Sequence, residues 1–236
     1  MIDKLSTILS FKRHDLLFLT TSARRQALKN AEPINPGLPS DLIAEVVLSD
    51  IPAIVKRQEE IIPDYMQVGF SSNMFFGGSR IKIKSSVPIA GIKKSLTPFE
   101  VFTLWKSSDI TPVETKTALP ENTRKALKEL GSVAENLGIS VGVFGSLALQ
   151  IITGLLYVNE QSDIDICISS FTTKIDADFQ KIYELSRRIA DNYNVKFDIE
   201  VLLEDGAGVK LQELVSGSKT ILCKGLYSCE LRARDG

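Results

Sequence analysis

The sequence predicts an α/β (α+β) chain in two parts: a smaller N-terminal α+β part, residues 1–115, and a second part, residues 116–236, in which helices flank a mixed sheet. Three observations carry this. A stretch bearing Pro112 and Pro120, residues 107–120, separates two differently patterned regions. Beyond it, apolar residues recur at helical spacing over 121–137 and 174–193, with strand-like runs between and after them. Between those helices, residues 142–168 read as strand, Gly-Ser turn, helix and returning strand.

In the first part, residues 15–20 read as a strand and 22–28 as a short helix, with Arg13 and His14 at the strand's entrance. The Pro/Gly-rich stretch 31–41 is a loop, and Ser40 or Asp41 is placed to cap a helix running to Val47. Residues 51–56 and 64–70 read as strands, and 71–78, ending in Gly77-Gly78, as a loop. Residues 80–84 alternate Arg80, Lys82 and Lys84 with isoleucines. One face of that strand can be buried while the other shows three cations, either as a solvated sheet face or as a phosphate-facing surface. Lys93 and Lys94 add charge, and Thr97-Pro98-Phe99-Glu100 reads as a capping box with proline at the first helical position, opening a helix to about Trp105.

In the second part, Leu127, Leu130, Val133 and Leu137 predict a buried helical stripe that stops at Gly138. Residues 139–144 feed the Gly-Ser turn, and a helix follows it. Ile175, Phe179, Ile182, Leu185 and Ile189 mark the core face of a long helix. Residues 195–203 alternate Phe197, Ile199 and Val201 with Asp198 and Glu200, Asp205-Gly206 signals a hairpin, and residues 220–224 form a last strand.

Composition narrows the chemistry. The chain has 236 residues, 44% of them apolar, enough for a proper core, and no run long enough to span a membrane. Its N-terminus lacks the pattern of a secretory leader, and its three cysteines lack metal-ligand spacing, Cys167 and Cys223 sitting in apolar runs. Both features lead us to expect a cytoplasmic protein. A single histidine, His14, argues against a zinc site or a Ser-His triad and leaves carboxylates for metal or base chemistry. The net charge of −1 does not suggest a nucleic-acid surface. Residues 1–120 carry +3 and residues 121–236 carry −4, a weak asymmetry that would suit an anionic, metal-bound substrate shared between the parts.

Asp163 and Asp165 occupy one face of a strand with Cα atoms roughly 6–7 Å apart. Two carboxylates at that spacing, beside a Gly-Ser turn, suit a magnesium-bound polyphosphate; the alternative is an edge strand with two solvated acids. Phosphoryl-group transfer needs charge neutralisation at phosphorus and a stabilised leaving group, which cations held by shared carboxylates supply, and hard oxygen ligands point to Mg2+. A third acid is expected from a neighbouring strand, either Asp198 or Glu200. Gly145 lets backbone approach a phosphate, and Ser146 can cap the helix or offer its hydroxyl near the free amides.

The order Gly145-Ser146, helix, Ser162-Asp163-Ile164-Asp165, then an acidic strand resembles the nucleotidyltransferase superfamily. Gln150, Thr153-Gly154, Tyr157, Asp198, Glu200, Asp205-Gly206, Glu213 and the 220–224 strand narrow the resemblance to the malonate decarboxylase holo-acyl-carrier-protein synthases, which are phosphoribosyl-dephospho-CoA transferases. Thinner similarity runs through Arg13 to Leu16, residues 52–57, Val68-Gly69 and Arg80. Leu149 stands where a large aromatic is expected, and Ile199 where a glycine is. The resemblance implies a nucleotidyltransferase-like second part. It also implies attack by a serine of the decarboxylase's acyl-carrier subunit on 2′-(5″-triphosphoribosyl)-3′-dephospho-CoA, with loss of pyrophosphate. Asp163 and Asp165, with Asp198, would hold Mg2+, and Glu200 or Asp198 would take the serine proton. Gly145, Ser146, Ser162, Arg80 and Lys224 would contact substrate, with Arg57 and His14 as further candidates. Transfer of AMP from ATP, priming of a citrate lyase carrier, and a non-catalytic carrier-binding module are the competing readings; intact acids argue against the last.

Overall fold

The computed structural model describes residues 11–108, 119–170 and 175–233. The expected boundary at residues 115 and 116, Pro112, and the expected start of the long helix at Lys174 lie outside the described residues. The chain divides into two compact units, Met1–Thr97 and Pro98–Gly236, so the helix opened by Pro98 belongs with the second unit.

The first unit contains β1 (Leu16–Leu19), α1 (Thr21–Lys29), β2 (Glu32–Pro33), α2 (Ser40–Leu48), β3 (Ala53–Val55), β4 (Tyr65–Phe76), β5 (Ser79–Pro88) and β6 (Ile92–Leu96). Its sheet runs β2-β5-β4-β3-β1-β6 and every pairing is antiparallel. Leu16, Val55, Phe70, Ile81 and Ile83 are buried in it. Arg24 reaches out of α1 and donates to the carbonyls of Val47 and Ile51 at 3.0 and 2.8 Å, tying down the end of α2.

Two expectations change here, and one strand is added. Residues 71–76 are strand rather than loop: β4 continues to Phe76, Ser72 is buried within it, and only Gly77-Gly78, both at positive φ, make the turn. Lys93 and Lys94 lie on β6, paired with β1 and exposed, so their segment carries little apolar signal. The cap of α2 is Pro39 without a side-chain bond, while Ser40 opens the helix and Asp41 supplies first-turn negative charge.

The second unit holds α3 (Pro98–Ser108), α4 (Glu121–Asn136), β7 (Ile139–Val143), α5 (Gly145–Thr153), β8 (Ile164–Ser170), α6 (Ile175–Tyr193), β9 (Phe197–Leu202), β10 (Gly208–Lys210), α7 (Leu211–Val215), β11 (Thr220–Lys224) and β12 (Cys229–Ala233). The sheet is mixed, in the order β12-β11-β10-β9-β8-β7; β8 and β9 run parallel and the other described pairs antiparallel. The parallel pair follows from α6, which carries the chain back to begin β9 at the same end as β8.

On α4 the buried stripe is Thr123, Ala126, Leu127, Leu130, Gly131 and Ala134, with Val133 and Leu137 only half-buried. Small residues let this helix lie close to its neighbours, including α6, which buries Phe179, Ile182 and Ile189. A Cβ on Gly142 of β7 would stand 2.9 Å from backbone atoms of Pro98 and Phe99, so a bare backbone seats the start of α3 on the sheet. Cys167 and Cys223 are buried thiols and Cys229 is exposed. Among the described residues no helix is long and apolar enough to cross a membrane.

Candidate active site

At the junction of β7, α5 and β8 the chain makes a close approach to itself. Phe144 N donates to the carbonyl of Asp165 at 3.1 Å, which brings the end of β7 against the start of β8. Gly145 follows at φ +64, a conformation that costs a side-chain-bearing residue about 1–2 kcal/mol. A Cβ there would also overlap the Asp165 carboxylate. Glycine is therefore required twice over, by its backbone and by the acid beside it. No side chain caps α5; Phe144 is its N-cap and Ser146 lies one residue inside the helix, so the capping role expected for Ser146 is not the one it has.

The return to Asp163 is held by the residues that carried the family resemblance. Gln150 is buried, and its Oε1 accepts from Tyr157 N at 2.9 Å and Val158 N at 2.8 Å. Gly154 ends α5 in the left-handed conformation, and Thr153 Oγ1 accepts from Leu155 N at 3.2 Å. Ser162 closes the next turn, its hydroxyl accepting from Asn159 N at 3.0 Å and donating to Asn159 Oδ1 at 3.2 Å. Its place beside Asp163 is thus a turn-forming one.

The parallel register sets Asp165 directly beside Asp198 and Cys167 beside Glu200. Asp163, just before β8, is about half exposed, Asp198 somewhat less so, and Glu200 is buried. Burial pushes the Asp165 carboxyl up to about 6, and the charges of Asp198, Asp163 and Glu200 push the same way, against Lys210. One carboxylate therefore senses three others.

Two ammonium groups stand on these acids. Lys210 Nζ donates to both oxygens of Asp198, at 2.6 and 2.7 Å, and this bonding raises its own pKa. Lys196 Nζ lies 3.0 Å from Asp163 Oδ1 and 3.2 Å from Oδ2. Sequence reasoning missed both lysines. The Asp205-Gly206 hairpin was the available signal for Lys210, because folding back from it places Lys210 opposite Glu200. Lys224 Nζ sits 3.8 Å from Glu200 Oε1, where it balances a buried acid. Arg80 belongs to the first unit, its guanidinium 5.1 Å from the Phe75 ring centroid and donating to Ser72 O at 3.3 Å. Arg57, also there, is exposed and 3.7 Å from Glu59, while His14 takes φ 74 and its backbone N donates to Val55 O at 3.1 Å.

Among the described residues no three His, Cys, Asp or Glu side chains stand together as a group that could hold a metal ion. The arrangement is instead an open group of hard oxygen donors, Asp163, Asp165 and Asp198, crowded by like charge and partly neutralised by lysine. The like charges crowd Asp165 most, and the two ammonium groups offset only part of that charge. Beside it lies a cavity of about 520 Å³ between α6, β9 and α7, with Asp163, Asp198, Lys196 and Lys210 in its wall.

A mixed sheet with Asp163 just before β8 and Asp165 on it, a partner acid on the parallel neighbour and a Gly-Ser helix start are consistent with a nucleotidyltransferase-like fold. The family described as phosphoribosyl-dephospho-CoA transferase MdcG, C-terminal domain, matches residues 109–235, and the chain belongs to that family. It is a transferase. A protein named phosphoribosyl-dephospho-CoA transferase from Xanthomonas axonopodis pv. citri (strain 306) is 25% identical over 224 residues, 94% of each chain. One of the same name from Xanthomonas campestris pv. campestris (strain 8004) is 27% identical over 223 residues, again 94% of each. A third, from Bradyrhizobium diazoefficiens, is 30% identical over 107 residues, 45% of this chain and 46% of its own. No solved structure matches the chain.

Proposed function

We propose that the enzyme moves the 2′-(5″-phosphoribosyl)-3′-dephospho-CoA group from its triphosphate precursor to a serine of the acyl-carrier subunit of malonate decarboxylase, releasing pyrophosphate. The observation that carries this reading is Asp165: it is pressed against the Gly145 backbone, in register with Asp198, in a chain of this transferase family. In the reaction the serine oxygen bonds to the phosphorus nearest the ribose, the bond from that phosphorus to the pyrophosphate oxygen breaks, and the serine proton is lost to a base.

Asp163, Asp165 and Asp198 would hold Mg2+, which neutralises charge on the triphosphate. Asp198 is favoured over Glu200 as the third ligand because the register sets it beside Asp165, whereas Glu200 is buried and faces Lys224. The first amides of α5 and the Ser146 hydroxyl would hold the leaving phosphates through hydrogen bonds and the helix dipole. Lys210, already bonded to Asp198, would move onto a phosphate oxygen when substrate arrives.

The decisive test weighs the carrier subunit after incubation with this enzyme, Mg2+ and either triphosphoribosyl-dephospho-CoA or ATP. A mass gain equal to the phosphoribosyl-dephospho-CoA group, seen only with the first donor, is expected. A gain equal to AMP, seen only with ATP, would overturn the proposal. A citrate lyase carrier run in parallel reports acceptor choice.

A further inference from the structure

The cavity beside the acids extends well beyond the groups assigned to the triphosphate. It is walled by the second half of α6, by residues 195–199 and by the start of α7. Asp163 and Asp198 reach its wall, but Asp165, Gly145 and Ser146 do not. The acid cluster thus has two sides: Asp165 lies against the Gly145 backbone, and Asp163 with Asp198 gives onto the cavity.

That division matters because the substrate is also two-sided about its reacting phosphorus. The two outer phosphates leave in one direction. The ribose, and everything attached to it, extends in the other. If the outer phosphates lie at Gly145-Ser146, the ribosyl side must leave the acids towards a recess that shares no residue with that turn.

The cavity has the chemistry such a group needs. Tyr183 offers an aromatic ring, with the Arg187 guanidinium 5.9 Å from its centroid. Arg187 is exposed, and among the described residues no carboxylate forms an ion pair with it. Lys196 brings a second cation to the same wall. At about 520 Å³ the space falls within the roughly 300–1,000 Å³ typical of small-molecule sites.

We infer that this cavity binds the dephospho-CoA end of the donor, with adenine against Tyr183 and the 5′-diphosphate against Arg187 and Lys196. The inference rests on the transfer reading above. It explains how one acid cluster would serve a donor far larger than a nucleoside triphosphate, since the cavity, rather than the acids, would hold the dephospho-CoA portion that lies beyond the triphosphate-bearing ribose. An aromatic face and a guanidinium together suit a purine linked to a diphosphate.

The test is calorimetric titration of the full-length protein with 3′-dephospho-CoA and, separately, with inorganic triphosphate. Wild-type protein is expected to bind both. Arg187→Ala should weaken dephospho-CoA binding about tenfold, the loss of one charge-assisted contact, and leave triphosphate affinity where it was. Tyr183→Leu should show the same selectivity, and circular dichroism of each variant checks its fold. Unchanged dephospho-CoA affinity in both variants, or an equal loss for both ligands, would overturn the assignment. If wild-type protein modifies the carrier from the intact precursor yet does not bind dephospho-CoA, the cavity inference falls and the transfer reading stands. If dephospho-CoA binding depends on Arg187 but no transfer occurs, the transfer reading falls and the binding assignment stands.

Discussion

Asp165 carries an opposition between stability and function that a single substitution should expose. Its carboxyl, at about 6 rather than 3.8, binds a proton more readily in the folded protein than in the unfolded chain. Its contribution to stability is therefore fully present below the ordinary value and is lost as pH rises through about 6. Asp165→Asn removes that penalty, so the variant should be more stable than wild type by about 2 kcal/mol at pH 8, allowing for partial exposure, with the difference vanishing near pH 4. Urea unfolding at the two pH values measures this, and transfer should be abolished at both. Because Lys210 favours the ionised acid, Lys210→Met should move the pH window of this effect upward, which a pH series of the same unfolding experiment reads. Gly145→Ala should destabilise the protein by at least about 1 kcal/mol from its backbone conformation alone and eliminate transfer, because the new methyl displaces Asp165. The acid pair was legible in the sequence because strand periodicity puts alternate residues on one face. Lys196 and Lys210 were not, because their value depends on which strand lies beside which.

Among the elements, the segment between α5 and β8 shows how residues that look catalytic can be structural. Gln150 leaves two buried amides without an acceptor if it becomes leucine, at about 1–3 kcal/mol each. Gln150→Leu should therefore lower stability by about 3 kcal/mol, and it should slow transfer by loosening the turn that delivers Asp163. Thermal unfolding and the carrier mass assay check the two halves of that statement. Long, strongly periodic elements such as α6 were readable from their apolar spacing. The three-residue β10 was not, because a strand that short carries no period, and β12 is so largely exposed, Leu231 included, that burial imposes no alternation on it. The extension of β4 through residues 71–76 was hidden for a related reason: Ser72 is buried where the pattern calls for an apolar residue.

At the scale of the whole chain, the two units divide before α3, and the bare backbone of Gly142 is the physical reason that helix belongs to the second. Proline and loop composition pointed to a boundary beyond α3, since nothing in a helix's own sequence says which neighbour it will pack against. A fragment of residues 98–236 should unfold cooperatively. One of residues 121–236, stripped of buried Val101 and Phe102, should melt at lower temperature and expose apolar surface. Differential scanning calorimetry and dye binding on the two fragments separate them, and equal melting temperatures would refute the division. The mixed sheet of the second unit, with its helical crossover, was predictable in kind from the alternation of elements.

The parallel pairing of β8 and β9 also sets a timetable. Asp163 and Asp165 are synthesised well before Asp198, and Lys210 later still, so a growing chain holds half an active site with no partner acid and no counter-cation. Non-local pairing of this sort is slow to form. The enzyme consequently acquires its electrostatics last, once α6 has folded back and the hairpin beyond β9 has closed. A ribosome-stalled or proteolytically shortened chain that ends before β10 would be folded in part yet chemically silent.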